Sequence, residues 1–253
     1  MKNTSTDKDD KILINRITEA DTQCFTKNIE VSTCFLDLRQ QSLILPYLAK
    51  SKCRYVLFGG YEDAERRAVY FLPDYLEEPA SDDLCILELT HGGYGSPSHR
   101  DYLGSVLGSG VERDVIGDII VYDKGAQVII KAHTARFLSL NVTSVGRCAV
   151  HAESKPLSAL EMSAIKTKAV TDTVMSLRLD AICSRMFGIP RSDAAKAIEG
   201  GTVFINGALC TKSDKQVAEG DKIVMRGRGK GVLSEIGGTS KKGRTFITAE
   251  VYV

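Results

Sequence analysis

Arginine and lysine side chains recur between residues 178 and 230 in a pattern that suits the binding of phosphate groups. Arg178 and Arg191 fall at the expected starts of two short helices, and Arg185 lies seven residues after Arg178. Arginine presents a planar fork of N–H donors that matches phosphate oxygens, and the glycines of this segment let a backbone approach a ligand closely. We expect the same basic surface to include Lys212, Lys215 and the loop with Arg226, Arg228 and Lys230.

Internal ion pairing is the alternative chemistry for these arginines. Asp180, Asp193 and Glu199 lie close enough in the sequence to pair with them. The charge balance is compatible with an external anion, because residues 178–253 contain 13 Lys and Arg against 8 Asp and Glu, whereas residues 1–177 contain 20 against 24. A basic module attached to a mildly acidic body is typical of polyanion binding, although a solvated lysine-rich surface has the same composition.

Two short helices and a small sheet are expected to position the basic residues. Gly188 ends the first helix, and Pro190 suits the first turn of the second. Seven residues make nearly two helical turns, so Arg178 and Arg185 are expected on one helical face, about 20° apart. A hairpin around Asn206-Gly207 and a strand over 222–225 complete the module. The first helix has a buried stripe with i, i+3, i+4 and i+7 spacing, formed by Leu179, Ile182, Cys183 and Met186.

The stretch RLDAICSRMFGIPRSDAAKAIEGGTVFINGALCTKSDKQVAEGDKI, residues 178–223, resembles the S4 RNA-binding domain. The sequence departs from the family at Pro190, where serine is frequent, and at Cys210, where an aliphatic residue is usual. The resemblance implies RNA binding in which Arg178 and Arg191 are the important arginines, and it adds Ser192, Lys196 and Asn206 to the candidate contacts. The matching positions are Arg178-Leu179-Asp180, Arg191-Ser192 with Ala194 and Ile198, Gly201, Val203, Asn206-Gly207 and Gly220-Asp221.

The segments on both sides of this module extend the resemblance. SHRDYLGSVLGSGVERDVIGDIIV before it and RGRGKGVLSEIGGTSKKGRTFITAEVYV at its end are similar to YlmH-type proteins, and the likeness is weakest over residues 1–50. It implies a bacterial protein, similar to the shorter RqcP proteins, that acts in ribosome-associated quality control. The implied partners are the large (50S) ribosomal subunit, 23S rRNA, peptidyl-tRNA and the partner that adds alanine tails to stalled chains.

The whole chain is expected to be an α+β protein with several domains. Residues 1–75 combine two helical stretches with a hairpin, and residues 76–155 follow the β-α-β-β-α-β order of ferredoxin-like and RRM domains. Residues 156–176 are expected to be a linker, although their second half, from Lys166, alternates enough to form an extra strand. Residues 177–253 are the S4 (αL-like) domain with a C-terminal β extension.

RNA contact through the sheet of the middle domain is not favoured by its residues. An RRM stacks bases on aromatic side chains of its central strands, whereas the corresponding strands here offer only Tyr122. His99, Arg100 and Arg113 on the helical side are either phosphate contacts or ordinary exposed charges.

The leading functional hypothesis is a non-enzymatic RNA-binding factor with no catalytic residue, metal or cofactor. No pair of histidines has the HxxxH spacing of a helical metal site, and the seven cysteines form no CxxC. The alternative is an RNA-modifying enzyme, similar to a pseudouridine synthase or a methyltransferase, with an active site within residues 1–150 that carries no recognised motif. A third hypothesis is a protein-docking module. The polar N-terminus and the lack of a long apolar run predict a cytoplasmic protein without membrane association, and nothing indicates more than a monomer.

Overall fold

The computed structural model describes residues 4–80, 82–92, 95–161 and 167–252. The chain divides into two compact units, residues 1–164 and 165–253. Both units combine helices with antiparallel sheet, which confirms the predicted α+β class.

The first unit begins with two helices and a three-stranded sheet. Helix α1 spans Thr4–Lys27 and α2 spans Leu38–Leu48. Asp37 starts α2 through a capping box, in which its carboxylate accepts from the Gln40 N–H at 2.9 Å and the Gln40 side chain accepts from the Asp37 N–H at 2.9 Å. The strands β1 (Val31–Ser32), β2 (Arg54–Phe58) and β3 (Ala68–Leu72) pair in the order β1-β3-β2, so β2 and β3 form the predicted hairpin.

A five-stranded sheet with two helices forms the rest of the first unit, and it has the predicted β-α-β-β-α-β order with one added two-residue strand, Ser144–Val145, before the last strand. Short 3-10 turns lie at Arg113–Val115, Ala132–Thr134 and Leu157–Ala159. Both helices pack on one face of the sheet, whose order is β5-β6-β4-β8-β7. The elements are β4 (Leu84–His91), α3 (His99–Gly108), β5 (Ile116–Tyr122), β6 (Gly125–Lys131), α4 (Ala135–Asn141), β7 (Ser144–Val145) and β8 (Cys148–Pro156).

The opposite face of this sheet is covered in part by the N-terminal elements. Ile129 on that face is fully buried and packs in one cluster with Phe35 and Tyr70. Tyr122, the aromatic residue expected on the sheet, donates its hydroxyl to Glu88 at 3.0 Å. The cover reaches Ile129 on β6 but not β8, where His151 and Glu153 on the same face are exposed, so only part of the face is closed to base stacking of the RRM type. The segments predicted as domains 1–75 and 76–155 therefore share a hydrophobic core.

The second unit packs two helices against one six-stranded antiparallel sheet, in the order β11-β10-β12-β13-β14-β9. The predicted stripe on the first of these helices is confirmed, because its four apolar side chains are buried. The predicted hairpin turn is confirmed as well, with positive φ angles of 50° at Asn206 and 80° at Gly207. The elements are β9 (Thr167–Val174), α5 (Leu179–Met186), α6 (Arg191–Glu199), β10 (Val203–Ile205), β11 (Ala208–Leu209), β12 (Lys222–Met225), β13 (Gly229–Thr239) and β14 (Thr245–Tyr252).

The segment predicted as a linker, residues 156–176, contributes a strand to the second unit. Strand β9 pairs with β14 along its whole length, from Thr167 opposite Tyr252 to Val174 opposite Thr245. The alternation seen in the sequence from Lys166 onward reflects this pairing. Residues 162–166 of the predicted linker lie outside the described residues. The compact unit that contains the predicted 177–253 domain begins earlier, at residue 165, because β9 pairs along the edge of β14.

Candidate nucleic-acid interface

Two guanidinium groups meet at one buried carboxylate where α5 and α6 begin. Arg191 Nη2 donates to both oxygens of Asp180 at 3.0 Å, and Arg178 donates through Nε at 3.3 Å and Nη2 at 3.2 Å. Asp180 is 5% exposed, whereas the side chains of Arg178 and Arg191 are 36% and 53% exposed. We call Arg178, Asp180 and Arg191 the Asp180 cluster. Its carboxylate anchors two forks that remain accessible to solvent.

The backbone at the start of α5 fixes this cluster. Arg178 is the N-cap of α5, with extended φ and ψ of −71° and 143°, and Arg191 is the first residue of α6. A loop over residues 212–217 docks here, because the Leu179 N–H donates to the Lys215 carbonyl at 2.8 Å and the Asp180 N–H donates to the Ser213 carbonyl at 3.1 Å. These bonds satisfy N–H groups that the first turn of a helix leaves without partners.

Within the cluster two cations share one anion, and Asp214 of the 212–217 loop adds a second carboxylate whose charge also acts on Arg178. Burial would raise the pKa of Asp180, but the hydrogen bonds from Arg178 and Arg191 outweigh it and hold the pKa below its ordinary value. The carboxylate is therefore ionised at neutral pH. The internal pairing considered from the sequence is confirmed for the contacts of Arg178 and Arg191 with Asp180, and both guanidinium groups remain partly exposed to solvent.

Arg185 contacts a different carboxylate. Its Nη1 lies 3.2 Å from Asp172 Oδ2 on β9. The expectation that Arg178 and Arg185 share one helical face does not hold, because α5 begins at Leu179 and the backbone of Arg178 is extended. Helical spacing therefore does not apply between these two arginines.

Four further candidates lie on the elements that form the Asp180 cluster. Lys212 and Lys215 are exposed on the loop that docks at the start of α5. Ser192 and Lys196 are exposed on α6, after Arg191. Lys196 Nζ is 3.8 Å from Asp193 with its side chain 80% exposed, and such a pair contributes little stability. The three lysines would add positive charge beside the cluster and Ser192 a neutral hydroxyl, and RNA contact by all four stays a prediction.

The basic residues between 226 and 230 lie beyond the other end of α6. The Arg226 N–H donates to the carbonyl of Thr202, which follows the end of α6, at 2.9 Å. The Arg226 guanidinium lies 5.3 Å from the centroid of the Phe204 ring, and Lys230 Nζ lies 4.9 Å from that of Tyr252. Arg228 is exposed in the turn between β12 and β13. Since Arg191 starts α6, the structure separates this second basic region from the Asp180 cluster by about the length of the helix, roughly 13 Å.

Asn206 supports the hairpin turn. Its Oδ1 accepts from the Lys222 N–H at 2.9 Å, and its Nδ2 donates to Asp221 Oδ1 at 2.8 Å. Asparagine tolerates the left-handed backbone that this position requires. Because both polar atoms of the side chain are engaged within the protein, the geometry favours a structural role, and RNA contact by Asn206 stays a prediction.

In the first unit, the Arg113 side chain forms hydrogen bonds with backbone carbonyls. Its Nη1 donates to the Ile116 and Gly117 carbonyls at 2.5 and 3.3 Å. Burial lowers the pKa of Arg113 to about 10, and the neighbouring charge of Arg66 adds to the effect. Arg113 is therefore half-buried and not an ordinary exposed charge, whereas phosphate contact by Arg113 stays a prediction. His99 and Arg100 are exposed at the start of α3.

A cleft of about 890 Å³ lies between α1 and the segment that follows β1, and Cys34 and Asp114 are among the residues that line it. Burial raises the pKa of the Cys34 thiol, and Asp114 raises it further. A thiol held in its protonated form is a poor nucleophile.

Across the described ranges, no group of three or more His, Cys, Asp or Glu is arranged to hold a metal ion. None of the helices within those ranges is long and apolar enough to cross a membrane.

Two segments of the chain match models of known protein families. Residues 177–223 match the S4 domain model, and residues 92–159 match a model described as "Putative RNA-binding domain in YlmH". The chain is 33% identical over 220 residues to "Ribosome-associated protein quality control protein P2" of Bacillus subtilis (strain 168), and the match covers 86% of each chain. The chain belongs to the YlmH family.

A solved structure with the YlmH name shares the fold. "Cell division protein ylmH from Streptococcus pneumoniae" superposes with a TM-score of 0.51 at 20% identity, covering 59% of this chain and 93% of the other. At this identity the likeness concerns the fold alone. Within the YlmH-family sequence, the Asp180 cluster lies inside the S4 match, whereas the basic turn after β12 lies outside it.

Sequence reasoning missed two carboxylate roles in this YlmH-family chain. Asp180 was considered as a neutralising partner, but its position between two forks makes it their shared anchor. The ion pair of Arg185 with Asp172 is not predicted from the sequence, because Asp172 lies thirteen residues earlier, in the segment predicted as a linker. The Arg178-Leu179-Asp180 tripeptide is the signal that points to the first role. The second depends on β9 joining the sheet.

Proposed function

We propose that this YlmH-family protein is a non-enzymatic RNA-binding factor of the large (50S) ribosomal subunit that acts in ribosome-associated quality control. The observation that carries the proposal is the Asp180 cluster, in which one buried carboxylate holds two accessible arginine forks inside an S4 domain. The name of the B. subtilis relative supports the quality-control role. The proposed contacts are 23S rRNA, peptidyl-tRNA and the partner that adds alanine tails to stalled chains.

The proposed mechanism is positional. Each guanidinium has five N–H donors, and the bonds to Asp180 use only part of them. Because Asp180 fixes both forks before RNA arrives, less side-chain freedom is lost on binding. Phosphate contacts supply the affinity, and the shape of the folded RNA supplies the specificity. Such a factor prolongs a tRNA–ribosome state and breaks no covalent bond.

Binding to ribosomal RNA should weaken strongly with salt. If four to six phosphates are neutralised, the logarithm of the association constant should fall with a slope of about −3 to −5 against the logarithm of salt concentration. Between 50 and 200 mM KCl the affinity should then fall roughly 60- to 1,000-fold. Filter binding to a 23S rRNA fragment across this range measures the slope, and a flat response would contradict phosphate binding.

Co-sedimentation with ribosomal subunits tests the quality-control assignment. We expect 50S subunits that carry peptidyl-tRNA to retain the protein at least about tenfold better than vacant 50S subunits, because one added charge-assisted contact is worth about 1.5 kcal/mol or more. Vacant 30S subunits serve as the control for non-specific RNA binding. Equal retention on loaded and vacant 50S subunits would exclude a role for peptidyl-tRNA.

A further inference from the structure

The turn of the β13–β14 hairpin lies at the same end of the sheet as the Asp180 cluster. Val174, the last residue of β9, pairs with Thr245, the first residue of β14. Arg178 follows Val174 by four residues, and an extended chain advances at most about 3.6 Å per residue, so Arg178 lies within roughly 14 Å of that pair. We call residues 240–246 the hairpin end.

The hairpin end has two lysines and one arginine on a well-defined turn, and Arg244 Nη2 donates to the Thr173 carbonyl at 3.5 Å. Lys241 and Lys242 are exposed, and Arg244 follows them half-buried. Within the described ranges, no carboxylate forms an ion pair with any of the three. The Ser240 N–H donates to the Arg244 carbonyl at 2.7 Å, and the Arg244 N–H donates to Ser240 Oγ at 3.0 Å. The turn is therefore held in shape without using the charges of the lysines.

An aromatic ring lies exposed beside these cations. Phe246 is 45% exposed, and Met175 near it is 67% exposed. The strand neighbours of Phe246 are Thr173 on β9 and Gly237 on β13, and a Cβ at Gly237 would lie 3.4 Å from the Cβ of Phe246. A Cβ at Gly238 would meet nothing within 4 Å. An aromatic side chain often covers a glycine in a neighbouring strand, but here almost half of the phenyl surface stays open.

Exposed aromatic rings next to lysine and arginine are the combination that single-stranded nucleic acid recognises, since bases stack on the ring while the cations follow the phosphates. The charge favours a polyanion, because this segment has three cationic side chains and only two exposed apolar ones, Phe246 and Met175. We propose that the hairpin end binds single-stranded RNA, with one base on Phe246 and phosphates on Lys241, Lys242 and Arg244. This site adjoins the Asp180 cluster, and its RNA ligand rests on the proposed function.

A tryptophan reporter tests the stacking directly, because the chain contains no tryptophan. In the Phe246→Trp variant, a twelve-nucleotide uridine oligomer should quench the fluorescence of the single tryptophan, and the quenching should saturate as the oligomer is added. Adding Lys241→Ala and Lys242→Ala should weaken that titration and lower its salt slope by about 1 per lysine removed. Lys27→Ala with Lys50→Ala is the charge-matched control, since both lysines are exposed on the first unit, and it should leave the titration unchanged.

A second set of variants separates stacking from folding. Phe246→Tyr should keep the affinity for the oligomer, whereas Phe246→Leu should lower it roughly 5- to 150-fold with an unchanged circular dichroism spectrum. If the tryptophan is not quenched while binding to 50S subunits still depends on Arg178 and Arg191, the inference falls and the proposed function stands. Quenching by phosphatidylglycerol vesicles but not by the oligomer would replace RNA with a membrane surface and overturn the inference. If neither the oligomer nor 50S subunits bind, both proposals fall.

Discussion

Arg178→Gln and Arg191→Gln, combined with Asp180→Asn, should release the protein from ribosomal RNA while its second unit stays folded. In the proposed interface each arginine supplies charge-assisted hydrogen bonds to phosphate worth about 1.5–3 kcal/mol, so the loss of both should lower the affinity for 50S subunits roughly 10²- to 10⁴-fold. Asparagine replaces the carboxylate because Asp180 is buried and would otherwise lose both partners. Co-sedimentation and thermal unfolding of the same preparations measure the two quantities.

Two further variants make this result interpretable. The double change without Asp180→Asn should cost several kcal/mol of folding stability, because it leaves a buried charge unpaired. Arg185→Gln lowers the net charge by one, as the triple change does, but its ion pair with Asp172 lies outside the Asp180 cluster, so its effect on binding should be much smaller. If the triple variant binds 50S subunits within about threefold of the unaltered protein, the Asp180 cluster is a structural device and the proposed interface is wrong.

Asp83→Asn should lower the free energy of unfolding of the first unit by about 3–5 kcal/mol. Asp83 forms an ion pair with Lys131, and we expect the loss of the carboxylate to cost more than the loss of the lysine. Lys131 has only 4% of its side chain exposed and donates to Asp83 and to Ser32 Oγ. Its Nζ also lies 5.8 Å from the centroid of the Phe35 ring and 5.4 Å from that of Tyr70. The asparagine amide oxygen can still accept a hydrogen bond, but the buried ammonium group would have lost its counter-charge.

Lys131→Met should cost less than Asp83→Asn. Asp83 is 23% exposed and would still accept from the hydroxyls of Ser32 and Tyr70, at 2.5 and 3.3 Å. Urea unfolding followed by tyrosine fluorescence reports on this unit, because eight of the nine tyrosines precede residue 123. The double variant should recover part of the loss, as expected for a coupled pair. If the two single changes lowered the free energy of unfolding equally, the different burial of Lys131 and Asp83 would not determine how much each contributes to stability.

The same pair predicts a pH dependence. Burial raises the pKa of Asp83, but the hydrogen bonds from Lys131 and Ser32 outweigh burial and hold the pKa below its ordinary value. A lowered pKa in the folded state means that the stabilisation is fully present above the unfolded value of about 3.9 and is lost as pH falls through the lower folded value. Urea midpoints of the unaltered protein should therefore fall more steeply below pH 4 than those of Asp83→Asn, and parallel curves would contradict this assignment.

Local features of the second unit could be predicted from the sequence because each depends on residues close together in the chain. The stripe of Leu179, Ile182, Cys183 and Met186 follows helical spacing, and Asn206-Gly207 is a turn dipeptide with its own backbone preference. The same spacing placed Arg178 and Arg191 at helix starts, where the structure has them as an N-cap and a first residue.

The tertiary structure decided which charges meet and which surfaces stay open. Asp180 contacts two arginines because the packing of α5 against α6 brings the first residues of the two helices together. Arg185 lies beside Asp172 because β9, which contains Asp172, pairs with β14. Phe35 and Tyr70, which lie far from Ile129 in the chain, cover the middle sheet at that residue. Ion pairing and burial depend on distances between segments remote in sequence, and no local propensity or spacing specifies those distances.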